Sequence, residues 1–570
     1  MKYFFPLVIV ATCCLLSLAQ AEYLPSNGDQ EYGDGGWYLW VDSTGGGKAT
    51  AQAGVAGVGY QESRGAIVEV TKRAKNNWQM QFQAPQWLAD SGVLYDFKFM
   101  AKAAIPGLPI TAIVQGGPPN WDFKDGYDVK LDTVWTEYHF PFYSTQKGYG
   151  TSRLNFYLTT PGKYWIDEVQ VTRQDADIDT AWYGNAEARI DSLRKKSFSL
   201  CVKQRGKNLA GAQVNVELVQ HEFPFGTALA LGTQRDSMEL WYRKTAAKYF
   251  WSGVPENQFK WPDYERSRNS PNREALQEYF DFAKQEHWRV MRGHALVWGI
   301  QGYGFDKHWS VQGSCADISK NIQARIQRDV KELHGKFQEY DVWNEPFHEP
   351  FLFDKCGWSL LDSAFVWAHH ADPSVPLYIN EYDVVEAGRT ETLYQLVKGM
   401  LARKIPVSGI GVQCHFQNRP VIPALIKMRL DHLGELGLPI KVTEFDIGGM
   451  NTGLTISEQE QARQFAIFFR SVFSHPSIAG IMMWGFWDGR HWIQNGGMIA
   501  SDGRAKPAAD TTYALWHEHW TTRETLLVDS TGVASFRGFP GVYRITVTQG
   551  KQRWIREVTL GYSPEYRIDL

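Results

Sequence analysis

The chain has no excess of basic charge. Its 570 residues carry 59 lysines and arginines against 62 acids, a formal net charge of -3. That argues against nucleic acid as a partner, because phosphate backbones select a clear positive surplus. Beyond the first 21 residues no apolar run is long enough to cross a bilayer, so no membrane partner is expected either. Cysteine is scarce, with six residues, and none falls in a zinc-type cluster. There is no Asn-x-Ser/Thr acceptor, no Gly-rich phosphate turn, and no repeat or low-complexity stretch that would suit a structural wall protein.

Aromatic residues are plentiful, including 23 tryptophans. Their flat apolar faces and single polar edge suit cores and sugar rings alike. Residues 1–21 read as a signal peptide: Lys2, then "FFPLVIVATCCLLSLA", then Ala19-Gln20-Ala21 as the cleavage site. The expected mature chain is secreted, extracellular and soluble. Cys13 and Cys14 leave with the leader, and Cys201, Cys315, Cys356 and Cys414 remain. An oxidising compartment permits disulfides. "QGSCAD" and "DKCGWS" read as loops, which makes Cys315–Cys356 the best guess for a pair, although four free thiols stay open.

Residues 223–520 carry a rhythm of eight short apolar runs, among them "FPFGTALA", "RVMRGHALVW", "FQEYDVWNE", "PIKVTEFDI" and "GIMMWGFWD". Helix-period stretches separate them, one of which opens on the capping box Ser457-Glu458-Gln459-Glu460. Runs that are apolar throughout imply buried parallel strands. Eight such βα units over about 250–300 residues fit a (β/α)8 TIM barrel. A doubly wound open sheet is the alternative, with fewer strands and a Gly-rich first turn. Residues 22–175 alternate as β-sandwich strands of jelly-roll type. Residues 176–222 hold a linker and the first half of a small β-domain, and 521–570 hold its second half. The barrel would then be inserted between the two halves.

Polar residues gather at the C-terminal ends of the barrel runs, where barrel enzymes build their sites. They include Glu256, Asn257, His294, Asn344, Glu345, Asn380, Gln413, His415, Glu444 and Trp484. Glu345 ends the fourth run and Glu444 the seventh, so the two acids face each other across the barrel mouth. A protonated acid opposite an ionised one is the equipment for glycosidic cleavage, and their like charges push their pKa values apart.

These motifs resemble glycoside hydrolase family 10, the endo-β-1,4-xylanases. "YDVWNE" is similar to the family's acid/base motif and "VTEFDI" to its nucleophile motif. "VPENQFKW", "RGHALVW", "YINEYD", "GVQCHF" and "WGFWDGRHW" follow in register. The resemblance implies that Glu345 is the acid/base and Glu444 the nucleophile of a retaining enzyme, about 5–5.5 Å apart. It implies that His415 bonds the nucleophile and Asn344 the sugar 2-hydroxyl. Glu256, Asn257, Lys260, His294, Trp298 and Gln413 would bind the glycone side, with Trp484 and Trp492 as walls. Trp343, Phe445 and Trp487 are read as packing. No cofactor and no metal in the catalytic site are implied, and a monomer acting on xylan is expected. A β-1,4-glucanase, a dual-specificity enzyme and a catalytically silent polysaccharide binder are the competing readings.

The family pattern continues "VW" with histidine, where this chain has Gly299. The glycine is expected to open space for the hydroxymethyl of glucosides. The sandwich resembles jelly-roll carbohydrate-binding modules through "NWQMQF", "VWTEYHFPF" and "YWIDEVQV". Trp78, Trp87, Trp121 and Tyr127 are its sugar-stacking candidates. The same resemblance implies a structural calcium, with Asp167 one possible ligand.

Overall fold

The structure, a computed structural model, describes residues 25 and 27–570 apart from 86, 88, 91–92, 117–123, 145–151, 175–176, 418–419, 449–455, 562 and 564, with backbone alone at 124 and 177–180. The expected leader, residues 1–21, and Trp121 lie outside the described residues. The chain divides into two compact units, one up to Lys124 with Leu131–Asp175, the other Ala176–Leu570 with Asp125–Lys130.

The first unit is a sandwich of two five-stranded sheets. Tyr38–Val41, Met80–Gln83, Ser152–Tyr157 and Leu108–Gly116 form one, and its fifth strand is Lys124–Leu131, of which Asp125–Lys130 are grouped with the second unit. Lys48–Ala56, Arg64–Lys72, Gly162–Arg173, Val93–Ala103 and Thr136–Ser144 form the other. Alternation along each strand sends one face inward. Phe97 and Phe99 of one sheet meet Phe156 of the other at centroid distances of 6.2 and 5.0 Å, and all three are buried.

The second unit is built on eight parallel strands: β1 (Phe225–Leu229), β2 (Ser252–Pro255), β3 (Val290–Gly293), β4 (Glu339–Asn344), β5 (Leu377–Glu381), β6 (Gly409–Val412), β7 (Ile440–Phe445) and β8 (Ile478–Met483). Each pairs with the next, β1 pairs with β8, and the ring closes where Arg292 and Gly293 of β3 pair with Glu339 and Tyr340 of β4. Every residue of β4 and β7 is buried. That is the consequence of a sheet with side chains inside and helices outside. Ser457 caps the helix Glu458–Phe473 by accepting from the Glu460 amide at 3.1 Å. The glutamate does not complete a capping box, because its carboxylate is drawn to Arg463 instead. The cysteines expected in loops sit at helix ends. Cys315 opens the helix Cys315–Glu332, Cys356 closes Phe351–Cys356, and the two are disulfide-bonded with their Cα atoms 5.2 Å apart.

Strands from the two segments that flank the barrel pair with each other. Lys196–Gln204 lies between Val533–Gly538 and Glu565–Asp569, and Gln213–His221 lies between Arg523–Leu527 and Gly541–Gln549. Their apolar faces join the barrel floor. Trp516 stacks on Phe225 at 4.3 Å, and the buried His221 ring sits against Trp251 and Phe539 while its Nε2 donates to the Trp520 carbonyl. Burial pulls the His221 pKa down to about 4.

Phe539 is 2 % exposed and lies in the turn joining Val533–Gly538 to Gly541–Gln549, yet it packs on Phe473 at the end of a barrel helix. Deleting its ring costs about 3–5 kcal/mol. Phe539→Ala is therefore expected to lower the melting temperature of barrel and sheets together, in one transition followed by circular dichroism and tryptophan fluorescence. Two separate transitions would show that the floor does not couple them.

Candidate active site

Asn344 and Glu345 are neighbours, and a regular strand would send them to opposite faces. Both nevertheless line the cavity at the C-terminal mouth of the barrel. The reason is backbone conformation. Glu345 has φ 56°, the left-handed region, held by its amide donating to the Asn380 carbonyl at 2.8 Å. Such a conformation costs about 1–3 kcal/mol in a non-glycine residue and persists only where its surroundings enforce it.

The cavity measures about 590 Å3 and is lined by all twelve barrel residues expected at the site: Glu256, Asn257, Lys260, His294, Trp298, Asn344, Glu345, Gln413, His415, Glu444, Trp484 and Trp492. Glu345 Oε1 accepts from Asn344 Nδ2 (3.0 Å) and Gln413 Nε2 (2.9 Å), and its Oε2 accepts from Trp298 Nε1 (2.7 Å). Glu444 Oε1 accepts from Asn380 Nδ2 at 2.7 Å, and its Oε2 lies 3.4 Å from His415 Nε2. Asn380 Nδ2 also donates to Asn344 Oδ1 at 2.8 Å. Two amides thus bridge the two carboxylates.

Burial pushes the Glu345 pKa up to about 7, and the charges of Glu444 and Glu381 push the same way. Burial alone would hold His415 down, but Asp446 and Glu444 raise it well above the ordinary histidine value. Asp446 Oδ2 is 3.0 Å from His415 Nδ1 and accepts from Trp492 Nε1 at 2.7 Å, which fixes both rings. His294 donates Nδ1–H to the ionised Asp341 at 2.9 Å and meets the Trp484 ring edge-on. Lys260 donates to Asn257 Oδ1 at 2.9 Å and sits 4.8 Å from the Trp298 ring centroid. Burial lowers the Lys260 pKa. Trp343 and Phe445 are fully buried and Trp487 nearly so, each against other aromatic rings, as packing residues.

Sequence reasoning missed five lining residues, Ile300, Tyr303, Glu349, Tyr382 and Gln417, which stand on loops without periodicity. It placed Asn380 at a strand end without a role. Gly299 is not among the residues lining the cavity, and a Cβ there would lie 2.7 Å from the Glu349 carbonyl oxygen, so a larger residue at this position would have to displace the loop after Glu345.

Two of the sandwich candidates are core residues. Trp87 is 5 % exposed, edge-on to Tyr95 and Phe142, and Tyr127 is 0 % exposed. Neither can stack on a sugar. Trp78 is 43 % exposed and pairs with Trp40, which is 38 % exposed, at 6.3 Å and 21°. Tyr38, on the same face as Trp40, is also exposed. The alternation in "YLWV" carried that signal. Asp167 is buried. Its Oδ2 accepts from the Tyr60 amide and the Ser63 hydroxyl, and its Oδ1 makes no hydrogen bond. A calcium ion takes six to eight oxygens and would use this atom as one. Among the described residues no group of three or more acidic, histidine or cysteine side chains completes such a cage.

Residues 215–514, more than half of the sequence, match the family described as Glycosyl hydrolase family 10. The chain belongs to that family. It is 30 % identical over 384 residues to the anti-sigma-I factor RsgI6 of Acetivibrio thermocellus, covering 67 % of this chain and 49 % of that protein. It is 28 % identical over 368 residues to endo-1,4-beta-xylanase 1 of Arabidopsis thaliana, covering 63 % and 37 %. It is 29 % identical over 270 residues to a beta-1,4-xylanase of Dictyoglomus thermophilum, covering 44 % and 75 %. The chain spans half or less of the length of the first two relatives.

Glu381 is fully buried at the end of β5, accepting from the Phe347 amide (2.9 Å), the Tyr382 amide (2.9 Å) and His348 Nδ1 (2.7 Å). Glu381→Gln keeps the shape and removes a negative charge that opposes ionisation of Glu345. The Glu345 pKa is expected to fall below about 7, read by carbon NMR of the labelled carboxyl. An unmoved value would show that the charge of Glu381 does not reach it.

Proposed function

We propose that the chain is a secreted, retaining endo-β-1,4-xylanase that cleaves plant cell-wall xylan by double displacement. The observation that carries this is the pair Glu345 and Glu444, on opposite sides of one barrel mouth, bridged by amides, with Glu345 protonated near neutrality. Glu345 donates its proton to the glycosidic oxygen while Glu444 attacks the anomeric carbon, and the leaving chain departs as an alcohol. Glu345, now ionised, takes a proton from water, whose oxygen displaces Glu444 and restores the original configuration. Asn344 addresses the 2-hydroxyl, a contact that strengthens in the transition state. His415 and Asn380 hold Glu444. Trp298, Trp484 and Trp492 supply flat walls for pyranose rings.

Xylan as substrate is supported by relatives whose names include xylanase. One relative bears a regulator's name, but the paired carboxylates here favour turnover over silent binding. A disulfide between Cys315 and Cys356 suits an extracellular setting. The exposed Trp40–Trp78 pair supports a polysaccharide-binding role for the sandwich, tethering the enzyme to an insoluble polymer.

On xylo-oligosaccharides, proton NMR is expected to show the β-anomer first. Glu444→Ala should lose at least about 10^4-fold in kcat. Because Glu345 must be protonated, kcat/KM should fall about tenfold per pH unit above about 7. An α-anomer product would overturn the retaining reading. Trp40→Ala combined with Trp78→Ala should weaken retention on insoluble xylan about tenfold, about 1.4 kcal/mol, and leave kcat on a short soluble substrate unchanged.

A further inference from the structure

A cavity of about 350 Å3 lies beneath the barrel, where the flanking sheets join its floor. Four stretches of chain wall it: the end of the helix Ala186–Arg194, the link from Gln213–His221 into β1, the link from the helix Glu458–Phe473 into β8, and the turn between Val533–Gly538 and Gly541–Gln549. Phe223, Phe473 and Phe539 supply ring faces, and Pro224, Pro476 and Pro540 supply stiff apolar corners. A space of this size, mostly apolar with a few polar groups, is the usual form of a small-molecule site.

One of those polar groups is a cation without an anion. Arg194 Nε donates to the Phe473 carbonyl at 2.8 Å and Nη2 to the His475 carbonyl at 2.7 Å, closing the C-terminus of the helix. The Phe223 and Phe473 ring centroids lie 4.9 and 5.1 Å from the guanidinium carbon. Capping and ring contact thus occupy two nitrogens and the faces of the group. The Nη1 edge remains. It bonds nothing among the described residues, and it is not one of the chain's enclosed, unpartnered donors, so it is open to solvent. Arg194 makes no ion pair among the described residues, and burial lowers its pKa to about 10. An anion at Nη1 would offset that desolvation.

Two acceptors line the same space, His221 and Glu222. His221 Nε2 donates to the Trp520 carbonyl, and burial keeps the ring neutral near neutral pH. Its Nδ1 therefore carries a bare lone pair. The Glu222 carboxylate makes no ion pair among the described residues, and it opposes a second negative charge on any ligand. A rigid cationic donor, acceptors and aromatic walls together suit a flat monoanion that also carries a hydroxyl.

We propose that this cavity binds an aromatic carboxylic acid with a ring hydroxyl, its carboxylate on Arg194, its ring against the phenylalanines and its hydroxyl donating to His221. The assignment does not depend on the catalytic roles given to Glu345 and Glu444.

The test titrates the full chain by calorimetry with four probes: 4-hydroxycinnamate, cinnamate, which lacks the hydroxyl, 4-hydroxycinnamyl alcohol, which lacks the carboxylate, and inorganic phosphate. The first is expected to bind with a Kd on the order of 0.1 mM, and more weakly as salt rises. Cinnamate should bind about threefold more weakly, and the alcohol and phosphate at least about tenfold more weakly. Arg194→Gln should abolish binding. Leu193 is exposed at the rim, so Leu193→Glu is compatible with folding and sets a negative charge beside Arg194. It should weaken binding of 4-hydroxycinnamate about tenfold and leave turnover of a short soluble substrate unchanged. Should Arg194→Gln not fold, Leu193→Glu still decides. Alcohol or phosphate binding as tightly as 4-hydroxycinnamate, or a Leu193→Glu variant that binds like the parent, overturns the proposal.

Discussion

One side-chain amide holds the two carboxylates in register. Asn380 Nδ2 is shared between Asn344 Oδ1 and Glu444 Oε1, and its own oxygen accepts from the Thr443 hydroxyl at 2.6 Å. The Glu444 carboxylate can only accept, so the amide cannot flip: its NH2 must face that acid, which leaves its oxygen for the Thr443 proton. The bridge runs through β4, β5 and β7, and β6 joins it because Gln413 donates to Glu345. Four strands far apart in sequence therefore meet in one hydrogen-bonded patch. That is possible only because the sheet closes on itself.

Burying two acids at such a mouth raises a question of charge. The barrel interior below them answers part of it. Arg292 bonds Glu339 and Asp341, and Lys441 bonds Glu339, so two cations and two anions pair with one another. Burial works against all four. The two cations nevertheless hold both acids ionised. A buried set of this kind adds little net stability over an apolar core, but breaking one member leaves an unpaired charge worth about 3–5 kcal/mol. Asp341 extends the set upward to His294 and so orients a ring that lines the cavity. The packing of the interior and the arrangement of the mouth are the same network.

The eight strands were legible because a closed parallel sheet leaves neither face to solvent, so short, largely apolar runs ending in polar residues mark both the strands and their catalytic ends, while the charges inside them, such as Glu339, Asp341 and Lys441, are paired within the barrel. The twelve barrel residues followed from the same logic joined to motif resemblance. Tyr303 and Tyr382 were not legible, since loops carry no period. The sandwich was harder. Its strands alternate, so each aromatic must be assigned to a face before it means anything. In "KDGYDVKL", Tyr127 shares a face with Val129 and Leu131, all three buried, and that pattern reads as core. Trp87 stands outside any regular strand, so no alternation was available for it.

Gly299 shows how the strained acid is kept in place. Glu345 alone would relax from its left-handed backbone, but the turn that follows is pinned at several points. The Glu349 amide donates back to the Glu345 carbonyl at 2.9 Å, and Phe347 donates to Glu381. The Glu349 carbonyl then comes so near residue 299 that only a glycine leaves room. The loop, the buried Glu381 and the missing side chain act as one clamp. A histidine at 299 would push the loop outward before it reached any ligand, and Glu345 would move with it. In this chain the absent side chain positions the acid, and any effect on sugar preference must pass through that displacement.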